Sequence, residues 1–96
     1  MYNEVLVCYD ISDNKRRQKL VKKLKDLGLM NIQESVFWGR ILLAEERALK
    51  RIFDEVLSRD EDKIFFLKTD LSRQIRNNSF GYSNFEIFED RNYVII

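Results

Sequence analysis

V-L-V-C-Y at residues 5–9 is an apolar run that stops at Asp10 and continues through Ile11-Ser12-Asp13 into a basic segment. A run rich in Val, Leu and Tyr predicts a buried strand, which we place at residues 3–10. The ends of such strands lie at the rim of a sheet, where ligand and metal sites form in α/β proteins. An acid at this exit, next to a basic segment, predicts a place where a metal ion and a phosphate meet.

The basic segment predicts a helix over residues 14–27. Its apolar positions Leu20, Val21, Leu24 and Leu27 fall on one helical face. Ser12 or Asp13 can cap its start, and Gly28 is a natural stop.

The rest of the chain alternates between strand and helix patterns and contains no repeat, linker or proline. The predicted elements are one extended strand from Ile32 to Leu43 with Gly39 as a bulge or close-approach point, a helix from Glu45 to Ser58, a strand from Lys63 to Leu67, a weaker strand within Ser72–Asn78, and a strand-like tail at Tyr93–Ile96. This order predicts an α+β fold, a ferredoxin-like split βαβ sandwich with an added C-terminal strand, in a single domain over residues 1–96.

Both helices of such a fold cover the same face of the sheet. The apolar strand residues, Phe37 and Trp38 among them, are too many for one covered face. We therefore expect an exposed apolar face that binds a partner, with a two-fold homodimer as the default.

Composition excludes several kinds of chemistry. The chain has no histidine, which removes Ser-His-Asp and Cys-His catalysis and every imidazole metal ligand. The single cysteine, Cys8, is expected to be a buried structural thiol. No apolar run reaches the roughly 18 residues that span a bilayer, and no signal peptide begins the sequence, so we expect a cytoplasmic protein without membrane contact.

Charge is segregated although the net charge is only +1. Seven Lys and Arg lie between Lys15 and Lys25 with no acid, whereas acids outnumber bases seven to four between Glu45 and Asp62. One basic face is the pattern expected of a protein that grips phosphates locally.

Three candidates for chemistry follow from the residues. Asp10 is either a turn residue or a metal ligand, and two copies near a dimer axis could share one Mg²⁺ held also by water and phosphate. Lys15, Arg16 and Arg17 in the first helical turn form either a solvated face or a phosphate contact. The segment from Ser35 to Arg40 is either a core strand or, through Arg40 and its aromatic edge, part of a nucleic-acid surface.

These residues together resemble a known family. The strand ending Tyr9-Asp10-Ile11-Ser12-Asp13, the helix start K-R-R-Q-K-L at residues 15–20 and Q-E-S-V-F-W-G at residues 33–39 are similar to the small CRISPR-associated endoribonucleases of the spacer-acquisition pair, the Cas2 family.

The resemblance implies a ferredoxin-like homodimer whose C-terminal strand crosses to the other protomer. It implies that Asp10 of each protomer binds Mg²⁺, with Mn²⁺ as the alternative ion, and that Asp10 is the catalytic acid. Tyr9, Arg17 and Phe37 match family positions, and Lys19 stands where some members carry Arg. With Arg16 and Arg40, these residues are the predicted nucleic-acid contacts.

Two functions stay open at this point. The first is a metal-dependent endonuclease that cuts single-stranded RNA, double-stranded DNA, or both, with Arg16, Arg17 and Lys19 positioning the backbone. The second is a non-catalytic dimeric DNA scaffold that bridges two dimers of the CRISPR integrase. A ligand-sensing regulatory domain is disfavoured, because no glycine-rich ligand loop is visible and the basic helix start would be unexplained.

Overall fold

The computed structural model describes residues 2–83, 85 and 88 and contains one four-stranded sheet. In chain order the elements are β1 (Tyr2–Asp10), α1 (Asn14–Asp26), β2 (Met30–Gln33), β3 (Val36–Leu42), α2 (Leu43–Val56), β4 (Lys63–Lys68), α3 (Leu71–Gln74) and a 3₁₀ turn (Ile75–Asn77). The strand order is β2-β3-β1-β4 and each neighbouring pair is antiparallel. This is the ferredoxin-like arrangement, so the predicted fold class is confirmed; the added C-terminal strand at Tyr93–Ile96 lies outside the described residues.

Helix α1 begins and ends where its sequence predicts. The Asp13 carboxylate accepts the Arg16 backbone N–H at 2.9 Å, which satisfies one of the free amides at the helix start. Gly28, just past the last turn, has φ +90°, a conformation that glycine adopts without strain. Leu20 and Leu24 are fully buried against the sheet.

The prediction of a single strand from Ile32 to Leu43 is wrong. Two antiparallel strands, β2 and β3, are joined by a turn at Glu34 and Ser35, and Ser35 has φ +64°. The Asn31 side-chain amide stabilises this turn by donating to the Gln33 carbonyl at 2.7 Å and the Val36 carbonyl at 3.0 Å. Neither turn residue is glycine or proline, so the usual turn signal was missing from the sequence.

Gly39 is a close-approach point, as predicted. A Cβ at this position would lie 2.7 Å from Leu29 Cδ2 and 3.2 Å from Leu29 Cα. Because Gly39 has no side chain, Leu29 can pack directly on β3.

The prediction of a strand within Ser72–Asn78 is also wrong, because this segment is helical. α3 and the 3₁₀ turn follow each other from Leu71 to Asn77. Leu71 and Ile75 are four residues apart, which places both on one helical face, and both pack toward Trp38.

The two faces of the sheet are covered differently. Helices α1 and α2 cover one face, over a core that includes Val5, Val7 and Phe37 from the strands. The second face was expected to be bare, and this expectation is wrong for the half made by β2 and β3. There Trp38 is buried under a covering segment of the same chain, which consists of α3, the 3₁₀ turn, Tyr82, Phe85 and Phe88.

The other half of the second face stays uncovered by the described residues. It is made by β1 and β4, where Leu6 pairs with Leu67 and Cys8 with Phe65. Phe65 is 55% exposed and Leu67 is 44% exposed. We call Cys8, Phe65 and Leu67 the uncovered strip, since Leu6 packs at its edge against the Trp38 cluster.

Candidate functional site

Asp10 lies at the exit of β1, as the sequence predicts, and its side chain is exposed. Side chains alternate along a strand, so Asp10 shares a face with Leu6 and Cys8 and stands at the end of the uncovered strip. Within the described part of the chain, no hydrogen bond or ion pair engages its carboxylate. The carboxylate is therefore available to an external ligand.

Arg17 holds the loop that follows Asp10. Its Nη1 donates to the Ile11 carbonyl at 2.9 Å and to the Ser12 carbonyl at 3.4 Å, and its Nη2 donates to Asn14 Oδ1 at 2.7 Å. These bonds tie the first turn of α1 to the exit of β1. Arg17 therefore holds the backbone of the residues that follow Asp10 and places a positive charge in the groove that Asp10 also lines.

The β2–β3 turn is fixed to the same strand end. The Tyr9 backbone N–H donates to the Ser35 carbonyl at 3.1 Å. Burial raises the pKa of the Tyr9 hydroxyl, the nearby Arg17 charge lowers it and the Glu34 carboxylate raises it. The Tyr9 hydroxyl is thus close enough to a cation on α1 and to an anion on the turn to be affected by both.

Arg16 points away from Asp10. Its Nε donates to Asp62 Oδ2 at 2.8 Å, and its Nη2 donates to Glu61 Oε2 at 2.8 Å and Asp62 Oδ1 at 3.2 Å. Three of its donor contacts thus go to carboxylates of the α2–β4 loop. In this structure Arg16 joins two elements rather than facing the Asp10 end of the sheet.

Arg40 belongs to the covered half of the second face. It forms an ion pair with Glu4 at 3.5 Å, donates from Nη2 to the Phe88 carbonyl at 3.2 Å and lies over the Trp38 ring at 5.0 Å. Its side chain is only 9% exposed. The structure therefore separates Arg40 from Asp10 and places it beneath the covering segment.

A groove beside Asp10 brings together four of the predicted site residues. Tyr9, Asp10, Arg17 and Phe37 all line it, although Phe37 is fully buried and contributes only the rear of its wall. The other predicted contacts, Arg16, Lys19 and Arg40, lie outside this lining, and Lys19 is exposed on α1.

Sequence reasoning missed part of this groove. Gln18, Val21, Lys22 and Lys25 also line it. They are spaced i, i+3, i+4 and i+7 along α1, which is one helical stripe beside the buried one. This spacing could have been read from the sequence. It indicates one wall of a groove only when the β2–β3 turn is known to lie opposite.

The donor chemistry at Asp10 fits a hard cation. Among residues 2–83, 85 and 88 no group of three or more His, Cys, Asp or Glu side chains could hold a metal ion. The described part of one chain therefore offers too few clustered ligands to hold a metal ion by itself. Mg²⁺ is commonly bound through one or two carboxylates together with waters and a phosphate. The Asp10 carboxylates of two protomers would therefore be enough protein ligands for one ion.

Fold and site together define a class of protein: a ferredoxin-like domain with an exposed carboxylate at the exit of its first strand, an arginine anchored beside it and an apolar sheet surface leading up to it. Residues 3–76 match the family model for CRISPR associated protein Cas2. The chain belongs to the Cas2 family.

Individual relatives agree with this assignment. The chain is 42% identical over 87 residues to CRISPR-associated endoribonuclease Cas2 1 of Francisella tularensis subsp. novicida, covering 91% of this chain and 88% of the relative. It is 32% identical to CRISPR-associated endoribonuclease Cas2 of Thermofilum pendens, covering 95% and 97% of the two chains.

Solved structures show the same fold. Streptococcus pyogenes Cas2 superposes with a TM-score of 0.69 at 28% identity, covering 81% of this chain and 99% of that one. The hypothetical protein TT1823 from Thermus thermophilus superposes with a TM-score of 0.67 at 29% identity, covering 72% and 83%. In the described part of this chain, no helix is long and apolar enough to cross a membrane.

Proposed function

We propose that this chain is a metal-dependent endoribonuclease that acts in CRISPR spacer acquisition in the cytoplasm. The observation that carries the proposal is Asp10, an exposed carboxylate without a partner among the described residues, at the strand exit that Arg17 holds in place. Membership of the Cas2 family supports it, since the curated relatives are named endoribonucleases.

The proposed active unit is a homodimer. Cys8 on β1 and Phe65 and Leu67 on β4 form the uncovered strip that ends at Asp10. An isologous contact through this strip would remove its apolar surface from water and place the same patch of both protomers at a two-fold axis. The two Asp10 carboxylates would then approach each other, which would supply two carboxylate ligands to one ion.

Asp10 from each protomer is the residue that would hold Mg²⁺ or Mn²⁺. The bound ion would supply positive charge for the phosphate and an acidified water as nucleophile. The chain's own residues do the rest. Arg17 keeps the strand exit in place through the Ile11 carbonyl and contributes positive charge, and the Tyr9 ring forms the adjacent surface.

A second candidate function is a non-catalytic DNA scaffold that bridges the integrase dimers. The specific observation in its favour is that the described residues form no group of three or more His, Cys, Asp or Glu side chains that could hold a metal ion within one chain. Catalysis then depends wholly on the dimer, whereas a scaffold needs only the dimer and its cationic surface.

Asp10→Asn separates the two functions. We expect this variant to cut labelled single-stranded RNA and double-stranded DNA at least about 100-fold more slowly than the wild type with Mg²⁺, because removal of a carboxylate ligand weakens the metal's stabilisation of phosphoryl charge. Asp60→Asn, a change of the same kind at an exposed loop acid, is the matched control and should cut normally. EDTA should stop cutting by the wild type and by Asp60→Asn.

The opposite results have a clear meaning. Equal cutting by wild type and Asp10→Asn would exclude Asp10 as the catalytic, metal-binding aspartate. A wild type that dimerises and binds DNA but cuts neither substrate would favour the scaffold.

A further inference from the structure

The groove beside Asp10 extends well beyond the carboxylate. It has a volume of about 870 Å³ and runs between the flank of α1 and the β2–β3 turn. Pockets for small organic ligands have volumes of roughly 300–1,000 Å³. The stretch of α1 from Gln18 to Lys25 that lines it spans about 10 Å of helix rise.

The two walls of the groove differ in charge. Arg17, Lys22 and Lys25 stand on the α1 wall, with Asp26 at its far end. The wall opposite carries Glu34 and Ser35 from the turn. A bound phosphate is attracted to the first wall and repelled by the second, so the charges would orient a nucleotide across the groove.

An aromatic ring lies between these walls. The Tyr9 side chain is half-buried and lines the groove, and the Phe37 ring packs behind it with a centroid distance of 6.2 Å. Aromatic rings of this kind stack on unpaired bases of any identity. A base inside a duplex cannot present its face to such a ring.

We propose that this groove binds one unpaired nucleotide next to the phosphate held at Asp10, with the nucleotide's own phosphates on Lys22 and Lys25, its base on Tyr9 and the edge of that base toward Glu34. The proposal deepens the proposed nuclease function and rests on its placement of the scissile phosphate. It assigns the groove to a single strand rather than to a duplex.

Glu34 makes the subsite selective. A carboxylate accepts hydrogen bonds and cannot donate them, so it favours a base edge that carries an amino group. Cytosine presents such a donor at N4, where uracil presents an acceptor. The groove therefore prefers cytidine to uridine.

Binding without cleavage tests the subsite. Fluorescence anisotropy with labelled oligocytidylate in EDTA measures affinity while no metal is present. Lys22→Gln combined with Lys25→Gln should weaken binding at least tenfold and reduce the slope of log affinity against log salt by about 1.4, which is 0.7 for each lost phosphate contact. Arg47→Gln combined with Lys50→Gln removes two exposed cations from α2, outside the groove, and should leave both values near the wild type.

Base selection is measured in the same assay. The wild type should bind oligocytidylate several-fold more tightly than oligouridylate, and Glu34→Gln should remove most of that difference. Tyr9→Leu, which keeps an apolar side chain but removes the ring, should weaken both oligonucleotides together.

The results separate this proposal from the nuclease proposal. Groove-dependent binding by a protein that cuts nothing would support the subsite and count against the nuclease. Equal affinities for the Lys22/Lys25 and Arg47/Lys50 variants would overturn the subsite even if Asp10-dependent cutting is found. Double-stranded DNA can also be added as a competitor of the labelled oligocytidylate. If it competes as well as single strands do, and if its affinity falls equally in the Lys22/Lys25 variant, the proposal is overturned.

Discussion

At the level of single residues, Arg16 was predicted from the sequence to contact phosphate, but in the structure it binds carboxylates of the same chain. Its guanidinium bonds both oxygens of Asp62, a side chain with 0% exposure that also accepts the Ser58 backbone N–H at 2.9 Å. Planar contacts of this kind are among the stronger hydrogen bonds in proteins. The result is a fixed junction between the start of α1 and the start of β4.

The same junction predicts a pH dependence of stability. Hydrogen bonds from Arg16 lower the pKa of Asp62, burial opposes this, and the Ser58 amide lowers it further. Because the folded pKa is below the unfolded value, the stabilisation is complete above about pH 4 and is lost as the pH falls through the folded pKa. Asp62→Asn should therefore be less stable than the wild type at neutral pH, and the difference should shrink in acid.

Urea unfolding over a pH series measures this difference. Asp60→Asn, in the same loop but exposed, is the control and should follow the wild type. A gap between wild type and Asp62→Asn that is equally large at neutral and strongly acid pH would contradict the assignment.

At the scale of elements, the covering segment is held by one polar cluster. The Glu4 carboxylate accepts the Ser72 hydroxyl at 2.5 Å and pairs with Arg40, which in turn donates to the Phe88 carbonyl. Trp38 packs edge-on against Phe88 with a centroid distance of 5.0 Å beneath this cluster. The sheet thus binds its own C-terminal segment through a buried ion pair and an aromatic contact together.

Glu4→Gln tests this attachment. It removes the carboxylate charge that pairs with the largely buried Arg40, so the free energy of unfolding should fall by about 1–3 kcal/mol. Since Trp38 is the chain's one tryptophan and is fully buried, loosening of the segment should shift its emission to the red and make it accessible to acrylamide.

Asp70→Asn is the matched control for that variant. Asp70 pairs with Arg73 on the same segment, but both side chains are exposed, so its loss should cost under about 1 kcal/mol and leave Trp38 emission unchanged. Equal effects of the two variants would show that the Glu4–Arg40 pair does not hold the segment.

At the scale of the whole molecule, the second face of the sheet is divided into a covered and an uncovered half. The covering segment lies over β2 and β3, and the uncovered strip on β1 and β4 leads to Asp10. This division leaves the half of the face nearest the candidate site open for a second copy.

Phe65→Glu tests the use of that half. We expect the wild type to be dimeric by analytical ultracentrifugation and Phe65→Glu to be monomeric, because a charge in the contact would be desolvated without a partner. Phe65 is 55% exposed in one chain, so the variant should still fold by circular dichroism. The monomer should also lose metal-dependent cutting, since it has only one Asp10.

Leu43→Glu is the control for this change. Leu43 is 63% exposed at the start of α2, at the sheet end opposite to Asp10. The Leu43→Glu variant should remain dimeric. If Phe65→Glu is also dimeric, the uncovered strip is not the dimer contact.

Patterns that extend over only a few residues were sufficient to predict several elements of the fold. The apolar run before Asp10, the helical spacing of Leu20 and Leu24, and Gly28 as a stop each depend on neighbours within a few residues. The order of those elements was enough for the ferredoxin-like class, and the strand exit at Asp10 was enough to place the candidate acid.

Which side chains contact each other depends on how the elements pack together. The turn at Glu34–Ser35 is stabilised by the Asn31 side chain and the Tyr9 backbone. The loop carboxylates that Arg16 binds, like the Glu4 and Phe88 partners of Arg40, lie more than thirty positions away in sequence. Local patterns carry no information about such contacts, because their free energy depends on distances that exist only after the sheet and helices have packed. For that reason the sequence located the acid, whereas the fold decided which of the cations stands beside it.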